Sequence, residues 1–327
     1  MPRRILALLT LVACSLSLAA AATARTEGGS ISLVAYSTPR AAYADLILAF
    51  QKTHGGKNTS FSQSYGASGE QARAVVSGLK ADVVALSLEP DVTTLVNKGI
   101  VPRNWKNDKW GGIVTRSVVV FAVRKGNPKK IRDWEDLVKP GVQIVTPNVQ
   151  TSGGAKWNIM AAYGAQLRKK KTHAQAVVYL RNLYKHIVSQ DKSAREALQT
   201  FLAGRGDVLL AYENEAIFAN QNNQEVPYVI PKATIRIENP IAVTATSQNK
   251  PTANAFLRYL RTTAAQKIFA QNGYRPVVPA AAKGFSFPVR PQLFSIKWLG
   301  GWAKVDNRFF NPNSGIVTRI QREVGTN

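Results

Sequence analysis

A glycine pair at the start of an apparent helix is the feature of this sequence that most directly predicts chemistry. The hydrophobic run Val142–Val145 ends at Thr146-Pro147, and Ser152-Gly153-Gly154 then precedes a helical pattern that continues past residue 158. The first N–H groups of a helix have no partner within it, and the helix dipole adds partial positive charge there. Glycine lacks a Cβ atom, so a ligand can approach its backbone closely. This layout predicts a site where backbone N–H groups bind an anion.

The same layout recurs along the chain, whereas a single copy would be an ordinary turn with a serine cap. Ser32–Tyr36 is typical of a strand, and Thr38 follows it as a predicted helix N-cap. Ser68 precedes Gln71 by three residues, which predicts a capping box at a second helix start. Ser193 stands in the same relation to a glutamate, so up to four helix starts are expected to converge.

Strands and helices alternate along the chain, which is the pattern of an α/β protein. Apolar residues of Tyr43–Phe50 recur at helical spacing, and Val118–Val123 is a β-branched run. A capped helix followed by Ala-Asp-Val or Gly-Asp-Val and an apolar strand occurs twice, at Ala81–Leu86 and Gly206–Tyr212. This weak internal similarity predicts two α/β lobes, with Ile241–Ala245 returning the chain to the first lobe.

The C-terminal part of the chain has a different composition. Ala253–Asn272 is predicted to be one helix, and after Pro276 the chain is rich in proline and aromatic residues. We expect this segment to form a tail packed over the lobes, with a last helix near Ser314–Val324. Helix His173–His186 is predicted from its period in the middle of the chain.

The composition indicates an exported globular protein. The chain has 327 residues, of which 45% are hydrophobic, which is enough for a large core or two domains. Two arginines, the apolar run Ile5–Leu18 and small residues at 22–24 predict a signal peptide over residues 1–24. A competing interpretation is a lipobox at Leu11–Cys14, in which Cys14 carries a lipid anchor. Both alternatives predict a periplasmic or other extracytoplasmic location.

The sequence weighs against nucleic acid, metals and covalent catalysis. The net charge is +24, but the basic residues are spread widely, so we expect a solvated surface that steers anions. Cys14 is the only cysteine, and the three histidines lie far apart, so no metal site or cofactor is expected. Gly66–Glu70 is similar to the hydrolase elbow G-x-S-x-G but departs from it at the last position. We therefore predict that the protein is not an enzyme and does not bind nucleic acid.

As a set, the motifs resemble those of the periplasmic sulfate-binding proteins of sulfate and thiosulfate ABC importers. The resemblance spans nearly the whole chain after the predicted leader, and the order of the motifs makes it specific. The matching segments are Tyr65–Gly69, Ala81–Val84, Val123–Pro128, Lys139–Val142, Thr146–Asn148, Ser152–Asn158, Gly206–Leu209, Glu213–Ala216, Tyr274–Pro276 and Gly300–Lys304. The resemblance implies a type II periplasmic binding protein fold, in which two Rossmann-like α/β lobes are joined by a two-crossover hinge.

The expected domain boundaries follow from this fold. Lobe 1 comprises residues 28–115 and 241–285, lobe 2 comprises residues 116–240, and residues 286–327 form the C-terminal tail packed on the lobes. The lobes are expected to close on the anion about crossover segments near residues 115–123 and 239–246. The resemblance further implies that the closed protein, a monomer, docks on the membrane permease subunits of an ABC importer.

The resemblance also implies a set of anion ligands. The positions that match the family's ligands are Ser37, Ser68, Ser152, Gly153, Gly154, Ala194 and Tyr212. Most donate a backbone N–H in the family, so Ser37 in place of the usual aspartate should matter little. Ser68 is expected to contribute its backbone N–H, while its hydroxyl either contacts the anion or caps its helix. Ser152 is expected to cap the helix that begins with the two glycines.

Tyr212 departs from the family pattern, which usually has tryptophan there. A tyrosine hydroxyl both donates and accepts hydrogen bonds, so it would tolerate a protonated oxyanion; the alternative is a core tyrosine that ends a strand. Sulfate carries no proton at neutral pH, and no carboxylate lies within the matched turns, which argues against phosphate. Thiosulfate, molybdate and tungstate remain alternatives to sulfate.

Overall fold

The computed structural model describes residues 29–325, so the predicted signal peptide and Cys14 lie outside the described residues. Strands and helices alternate as predicted, which confirms the α/β class. The eleven strands within this range are β1 (Ser30–Tyr36), β2 (Ser60–Gly66), β3 (Val83–Ala85), β4 (Ile113–Val123), β5 (Ile144–Pro147), β6 (Ile187–Asp191), β7 (Val208–Tyr212), β8 (Tyr228–Val229), β9 (Ala233–Val243), β10 (Arg275–Pro276) and β11 (Gln292–Ser295).

The helices cover the sheet. The eleven α-helices of residues 29–325 are α1 (Arg40–Gln51), α2 (Ser68–Val76), α3 (Glu89–Asn97), α4 (Gly153–Arg168), α5 (His173–Lys185), α6 (Ala194–Leu202), α7 (Glu213–Gln221), α8 (Lys250–Leu260), α9 (Thr263–Gln271), α10 (Trp302–Phe310) and α11 (Ile316–Val324). Two short 3₁₀ helices span Trp134–Val138 and Pro279–Ala282. None of the helices in this range is both long enough and apolar enough to cross a membrane.

One sheet runs through the molecule in the order β2-β1-β3-β9-β4-β7-β5-β6. At one end β1 pairs in parallel with β2 and β3, and at the other end β5 pairs in parallel with β6 and β7. The long strands β4 and β9 join these two parallel groups; they are antiparallel to each other, β9 is antiparallel to β3, and β4 is antiparallel to β7. Two parallel groups linked by two long strands correspond to the predicted two-lobed fold.

The same kind of local contact occurs once in each of the two parallel groups. Asp82, just before β3, accepts a hydrogen bond from the Ser32 N–H at 2.8 Å and donates its own N–H to the Ser32 carbonyl at 2.8 Å. Asp207, just before β7, makes the same two contacts with Gln143, at 2.9 and 2.8 Å. Each aspartate therefore fixes the register of neighbouring parallel segments. This contact is the physical reason for the repeated Asp-Val pattern in the sequence.

The periodic segments form helices with the expected faces inward. The apolar residues of α1 from Tyr43 to Phe50 that recur at helical spacing are buried. Helix α5 spans nearly the whole segment predicted for it, and α6 starts at Ala194 with both hydrogen bonds of the Ser193 capping box present. These segments were predictable from their apolar period, and α6 also from its capping box.

The cap predicted for the first helix was wrong. The N-cap of α1 is Pro39, one residue after Thr38. The Thr38 hydroxyl instead lies 2.9 Å from the hydroxyl of Tyr274, and both residues are buried. A partner from a distant part of the chain therefore replaced the local capping contact.

The single helix predicted over Ala253–Asn272 is two helices, α8 and α9. Thr262 lies between them in an extended conformation, and its hydroxyl accepts a hydrogen bond from the Ala265 N–H at 3.2 Å. The apolar period continues through the break, so periodicity alone did not reveal it. The threonine cap was the signal for a second helix start.

The chain after residue 285 packs against both parallel groups. Strand β11 adds in parallel to β9, α11 packs on α5, and α10 packs between α3 and α11. Trp302 of α10 meets Trp157 of α4 edge to face, with ring centroids 4.7 Å apart. Lys156 and Asp306 form an ion pair at 2.6 Å beside this contact. These contacts agree with a packed tail, although α10 was not predicted.

Candidate anion-binding site

A small cavity lies where the carboxyl ends of β1, β2, β3, β5 and β7 come together. The space that it leaves for the centre of a water-sized sphere is about 10 Å³, which is about the room that one water molecule needs. The residues that line it are Tyr36, Ser37, Thr38, Ser68, Ser87, Ser152, Gly154, Ala194 and Tyr212. Six of the seven ligand positions implied by the family resemblance are among them. The seventh, Gly153, packs beside Ser87 at the wall of the cavity.

Three helices begin at the cavity. Helices α2, α4 and α6 start at Ser68, Gly153 and Ala194. The backbone N–H groups of Ser68, Gly154 and Ala194 make no hydrogen bond with another described residue, as expected for the first turn of a helix. None of the nine lining residues is charged, so the positive potential in the cavity comes from peptide dipoles. The arrangement suits a small anion held by neutral donors.

Ser68 does not form the predicted capping box with Gln71. Helix α2 has Ala67 as its N-cap, and no side chain caps it. The Ser68 hydroxyl donates to Oδ2 of Asp91 at 2.5 Å and accepts a hydrogen bond from the Ser87 N–H at 2.8 Å. The hydroxyl proton is therefore committed to the carboxylate. Ser68 is left with its backbone N–H to offer to the cavity.

Asp91 was missed in the sequence analysis, which found no carboxylate within the matched turns and did not consider residues outside them. It lies in the first turn of α3 and is only 8% exposed. Burial raises the pKa of its carboxyl above the ordinary value of 3.8, against the opposing effects of the Lys156 charge and the Ser68 hydrogen bond. Asp91 does not line the cavity. It acts on the site by fixing the orientation of Ser68.

Asp91→Asn tests this buried charge, because an asparagine oxygen still accepts the Ser68 hydrogen bond. A carboxyl whose pKa is raised by folding binds a proton more tightly in the native state, so acid stabilises the wild type relative to the variant. We expect the free energy of unfolding of the wild type to increase relative to that of the variant as the pH falls from about 7 to about 4. Urea unfolding of both proteins at both pH values measures it. A difference that stays constant with pH would contradict the buried, charged carboxylate.

Ser87 is the residue where the two sides of the cavity meet, and it was also missed. Its carbonyl accepts hydrogen bonds from the indole N–H of Trp157 at 2.9 Å and from the Asn239 side chain at 3.1 Å. Its N–H is bound to Ser68, and its hydroxyl lies 2.6 Å from that of Tyr212. Ser87 follows β3, whereas Trp157 and Tyr212 belong to the other parallel group. Its position two residues after β3, near the carboxyl end of a parallel strand, was the only sequence signal for it.

Tyr212 ends β7 and is the N-cap residue of α7. It is only 1% exposed, and burial raises the pKa of its hydroxyl well above the ordinary value of 10.0, so the hydroxyl keeps its proton. Its ring lies 6.4 Å from that of Tyr36, centroid to centroid. Tyr212 is thus both a buried tyrosine at a strand end and a lining residue of the cavity. The two alternatives considered for it are not exclusive.

Ser152 is the N-cap residue of α4, as expected, but its side chain makes no capping hydrogen bond. Its side chain lies at the cavity instead. A Cβ atom on Gly154 would lie 3.3 Å from the Ser152 Oγ, whereas one on Gly153 would lie 2.1 Å from Cδ2 of Leu88. The two glycines therefore have different structural roles. Gly154 lines the cavity, and Gly153 allows α4 to approach the segment after β3.

Arg195 holds the elements around the cavity without contacting the space itself. It makes a bidentate ion pair with the buried Glu215, with both contacts at 2.8 Å. It also donates to the Thr38 carbonyl at 3.0 Å. Because bidentate pairs fix geometry, Arg195 ties the start of α6 to α7 and to the loop after β1. Its charge is neutralised by Glu215.

A metal centre and a hydrolase-type serine are the two arrangements that would indicate an enzyme among the described residues. Among residues 29–325, no group of three or more His, Cys, Asp or Glu side chains is placed to hold a metal ion. His173 contacts the Tyr163 hydroxyl and His186 contacts a backbone carbonyl, both away from the cavity. The Ser68 hydroxyl meets a carboxylate directly, whereas a serine hydrolase places a histidine between the two.

Similar proteins were found by sequence and by structure. A family model of bacterial extracellular solute-binding proteins matches residues 31–275. A sulfate-binding protein of Synechococcus elongatus is 41% identical over 314 residues, which cover 91% of this chain and 89% of that protein. A thiosulfate-binding protein of Pseudomonas aeruginosa is 34% identical over 302 residues, which cover 88% of this chain and 90% of that protein. The solved structure of the sulfate-binding protein SubI from Mycobacterium tuberculosis H37Rv has a TM-score of 0.84 at 43% identity and covers 86% of this chain and 100% of that chain.

The matched region begins within β1 and ends within β10, so it includes both parallel groups and every residue that lines the cavity. The relatives extend over most of this chain and of their own, so the shared fold is not confined to one segment. That fold is the type II periplasmic binding protein fold implied by the sequence motifs. The chain belongs to the family of bacterial extracellular solute-binding proteins.

Proposed function

We propose that this protein is an extracytoplasmic receptor that captures sulfate in the cavity and delivers it to an ABC importer. The observation that carries the proposal is the convergence of three helix starts on a cavity with no charged wall residue. Such a site stabilises an anion that needs many donors and no acceptor. The sulfate-binding relatives add support, because their names state that ligand.

The proposed ligand set consists of backbone donors and two hydroxyl groups. Backbone N–H groups are proposed at Ser37, Ser68, Gly153, Gly154 and Ala194, and hydroxyl groups at Ser152 and Tyr212. A hydrogen bond to a charged group contributes about 1.5–3 kcal/mol net. A micromolar Kd needs only about −8 kcal/mol in total. Several such bonds therefore suffice, even after the costs of desolvating the anion and closing the protein are subtracted.

Lobe closure about β4 and β9 completes the mechanism that we propose. The contacts of Ser87 with Trp157 and Tyr212, and of Arg195 with the Thr38 carbonyl, join the two parallel groups across the cavity. An open form exposes the helix starts of one lobe, and closure brings the donors of the other. The closed monomer then docks on permease subunits at the membrane. The protein works by binding and release, without a chemical step.

Thiosulfate is the second candidate, since a thiosulfate-binding relative is 34% identical over most of this chain. Thiosulfate carries the same charge as sulfate and one larger atom, so cavity size decides between them. Molybdate and tungstate are larger tetrahedral dianions that require similar donors. The small cavity favours sulfate within this group.

Calorimetric titration of the purified protein with sulfate, thiosulfate and molybdate tests the proposal. We expect one sulfate per chain with micromolar or tighter affinity and weaker binding of molybdate. Tighter binding of thiosulfate than sulfate would select the second candidate. If none of the three ions gives heat or raises the unfolding temperature, the proposed ligand set is wrong.

A further inference from the structure

Two hydroxyl groups from opposite sides of the cavity contact each other. Together they can form more hydrogen bonds than the one between them. The Oγ of Ser87 and the Oη of Tyr212 lie 2.6 Å apart, and either atom can donate. Both residues line the cavity and both are 1% exposed. The family resemblance assigned no role to Ser87.

A count of protons shows what the pair offers to a ligand. Each hydroxyl has one proton and two acceptor lone pairs. One proton lies between the two oxygens, and the Asn239 side chain occupies one lone pair of Tyr212. One proton and the remaining lone pairs are left for a ligand. An indole N–H at position 212 would be a donor only. The hydroxyl pair can therefore both donate to an anion oxygen and accept a proton from one.

The surroundings keep the pair in place. The backbone of Ser87 is held by Ser68, Trp157 and Asn239 through three hydrogen bonds between 2.8 and 3.1 Å. The Tyr212 ring is buried, and its hydroxyl interacts with the Asn239 side chain as well as with the Ser87 hydroxyl. The pair is therefore held at one fixed place on the wall.

We propose that the Ser87–Tyr212 pair lets the cavity take a singly protonated tetrahedral oxyanion, such as hydrogen phosphate or hydrogen arsenate, as well as a fully deprotonated one. The protonated ligand donates to Oη of Tyr212, Tyr212 donates to Oγ of Ser87, and Ser87 donates to a second ligand oxygen. Every proton then has an acceptor, and no carboxylate is needed at the wall. With sulfate, the pair supplies its free proton alone. This inference rests on the proposed function of the same cavity.

Two matched pairs of anions test the ligand proton without changing the protein. At about pH 8, phosphate and arsenate are mainly hydrogen dianions, whereas sulfate and selenate carry no proton. Phosphate and sulfate have the same shape and similar size, and so do arsenate and selenate. We expect phosphate to displace sulfate, and arsenate to displace selenate, with affinities within about 100-fold of the deprotonated partner. A 100-fold difference in affinity is two factors of ten in Kd.

Hydroxyl-deletion variants test the pair itself. Ser87→Ala and Tyr212→Phe are expected to weaken phosphate and arsenate about tenfold more than sulfate and selenate, the cost of about one unsatisfied polar group. Ser117→Ala and Tyr184→Phe are the controls, because they remove buried hydroxyls without a hydrogen-bond partner away from the cavity. The controls should leave both ratios unchanged.

The outcomes separate this inference from the proposed function. If sulfate binds and millimolar phosphate or arsenate does not compete, the inference is overturned and the sulfate site stands. If Ser87→Ala and Tyr212→Phe weaken all four anions equally, the pair is a general donor and the inference is likewise overturned. Failure of sulfate and selenate to bind the wild type would overturn the proposed function, and this inference with it.

Discussion

Ala194→Pro is expected to weaken sulfate binding by about 10- to 150-fold while leaving the fold intact. The substitution removes one backbone N–H at the first turn of α6, and the proline Cδ, which takes the place of that hydrogen, also blocks the anion at this point. A hydrogen bond to a charged group contributes about 1.5–3 kcal/mol, and each 1.4 kcal/mol is about tenfold in affinity. Because the proposed site is built from backbone donors, this change tests the mechanism directly.

The structure accommodates proline at this position. Ala194 is the first helical residue of α6, where a missing N–H breaks no helix hydrogen bond. The preceding residue, Ser193, has φ −133° and ψ 163°, which is the extended conformation required before proline. The capping hydrogen bonds between Ser193 and Glu196 do not involve the Ala194 nitrogen.

Thr263→Pro is the matched control for this prediction. Thr263 is exposed and is the first residue of α9, and Thr262 before it is extended at φ −75° and ψ 155°. The control loses the same backbone group at a helix start far from the cavity. Calorimetry should show a weaker Kd for Ala194→Pro only, with similar unfolding temperatures for both variants without ligand. Equal sulfate affinity in the two variants would mean that the Ala194 N–H does not contact the anion.

Gly153→Ala is expected to weaken sulfate binding by about 5- to 150-fold through steric overlap rather than loss of a donor. An added Cβ atom would lie 2.1 Å from Cδ2 of Leu88 and 2.8 Å from Cβ of Ser87. Overpacking a tight contact costs about 1–3 kcal/mol, which the affinity relation converts to this range. Gly153 and Ser87 belong to different parallel groups, so the overlap acts on the closed form and not on either group alone.

Gly164→Ala in the same helix separates closure from folding. A Cβ atom there would lie 2.3 Å from the ring of Phe294, a core contact between α4 and β11 that does not cross the cavity. This variant should lose about 1–3 kcal/mol of unfolding free energy without ligand and keep its sulfate affinity. Gly153→Ala should show the opposite pattern in calorimetry and urea unfolding. If Gly153→Ala destabilises the ligand-free protein as much as Gly164→Ala, the contact does not depend on closure.

Much of the fold followed from local signals. The periodic face of α1, the capping box at Ser193 and the repeated Asp-Val turns each predicted an element that the structure contains. Helices α3, α7 and α10 were not predicted. Helix α3 has the β-branched residues Val92, Thr93 and Thr94 in its middle, and α7 follows β7 without a turn. Their stability comes from tertiary packing, which overrides weak local preference.

Of the cavity, the sequence predicted the backbone donors but not the contacts between side chains. Helix starts after parallel strands indicated where backbone donors converge, and the family resemblance supplied the residue positions. The partners of Ser68 were not predictable, because Asp91 and Ser87 reach it from 23 and 19 residues away. Tyr212 likewise meets Ser87 across 125 residues. Contacts of this kind depend on how the two parallel groups come together, which no local pattern encodes.

A crystal structure of the protein with sulfate tests the central claim most directly. The account predicts one sulfate in the cavity, with its oxygens within about 2.7–3.2 Å of the backbone nitrogens of Ser68, Gly154 and Ala194. It also predicts that no lysine or arginine side chain contacts the anion. Sulfate bound elsewhere, or held in the cavity by a basic side chain, would contradict a receptor built on helix N-termini.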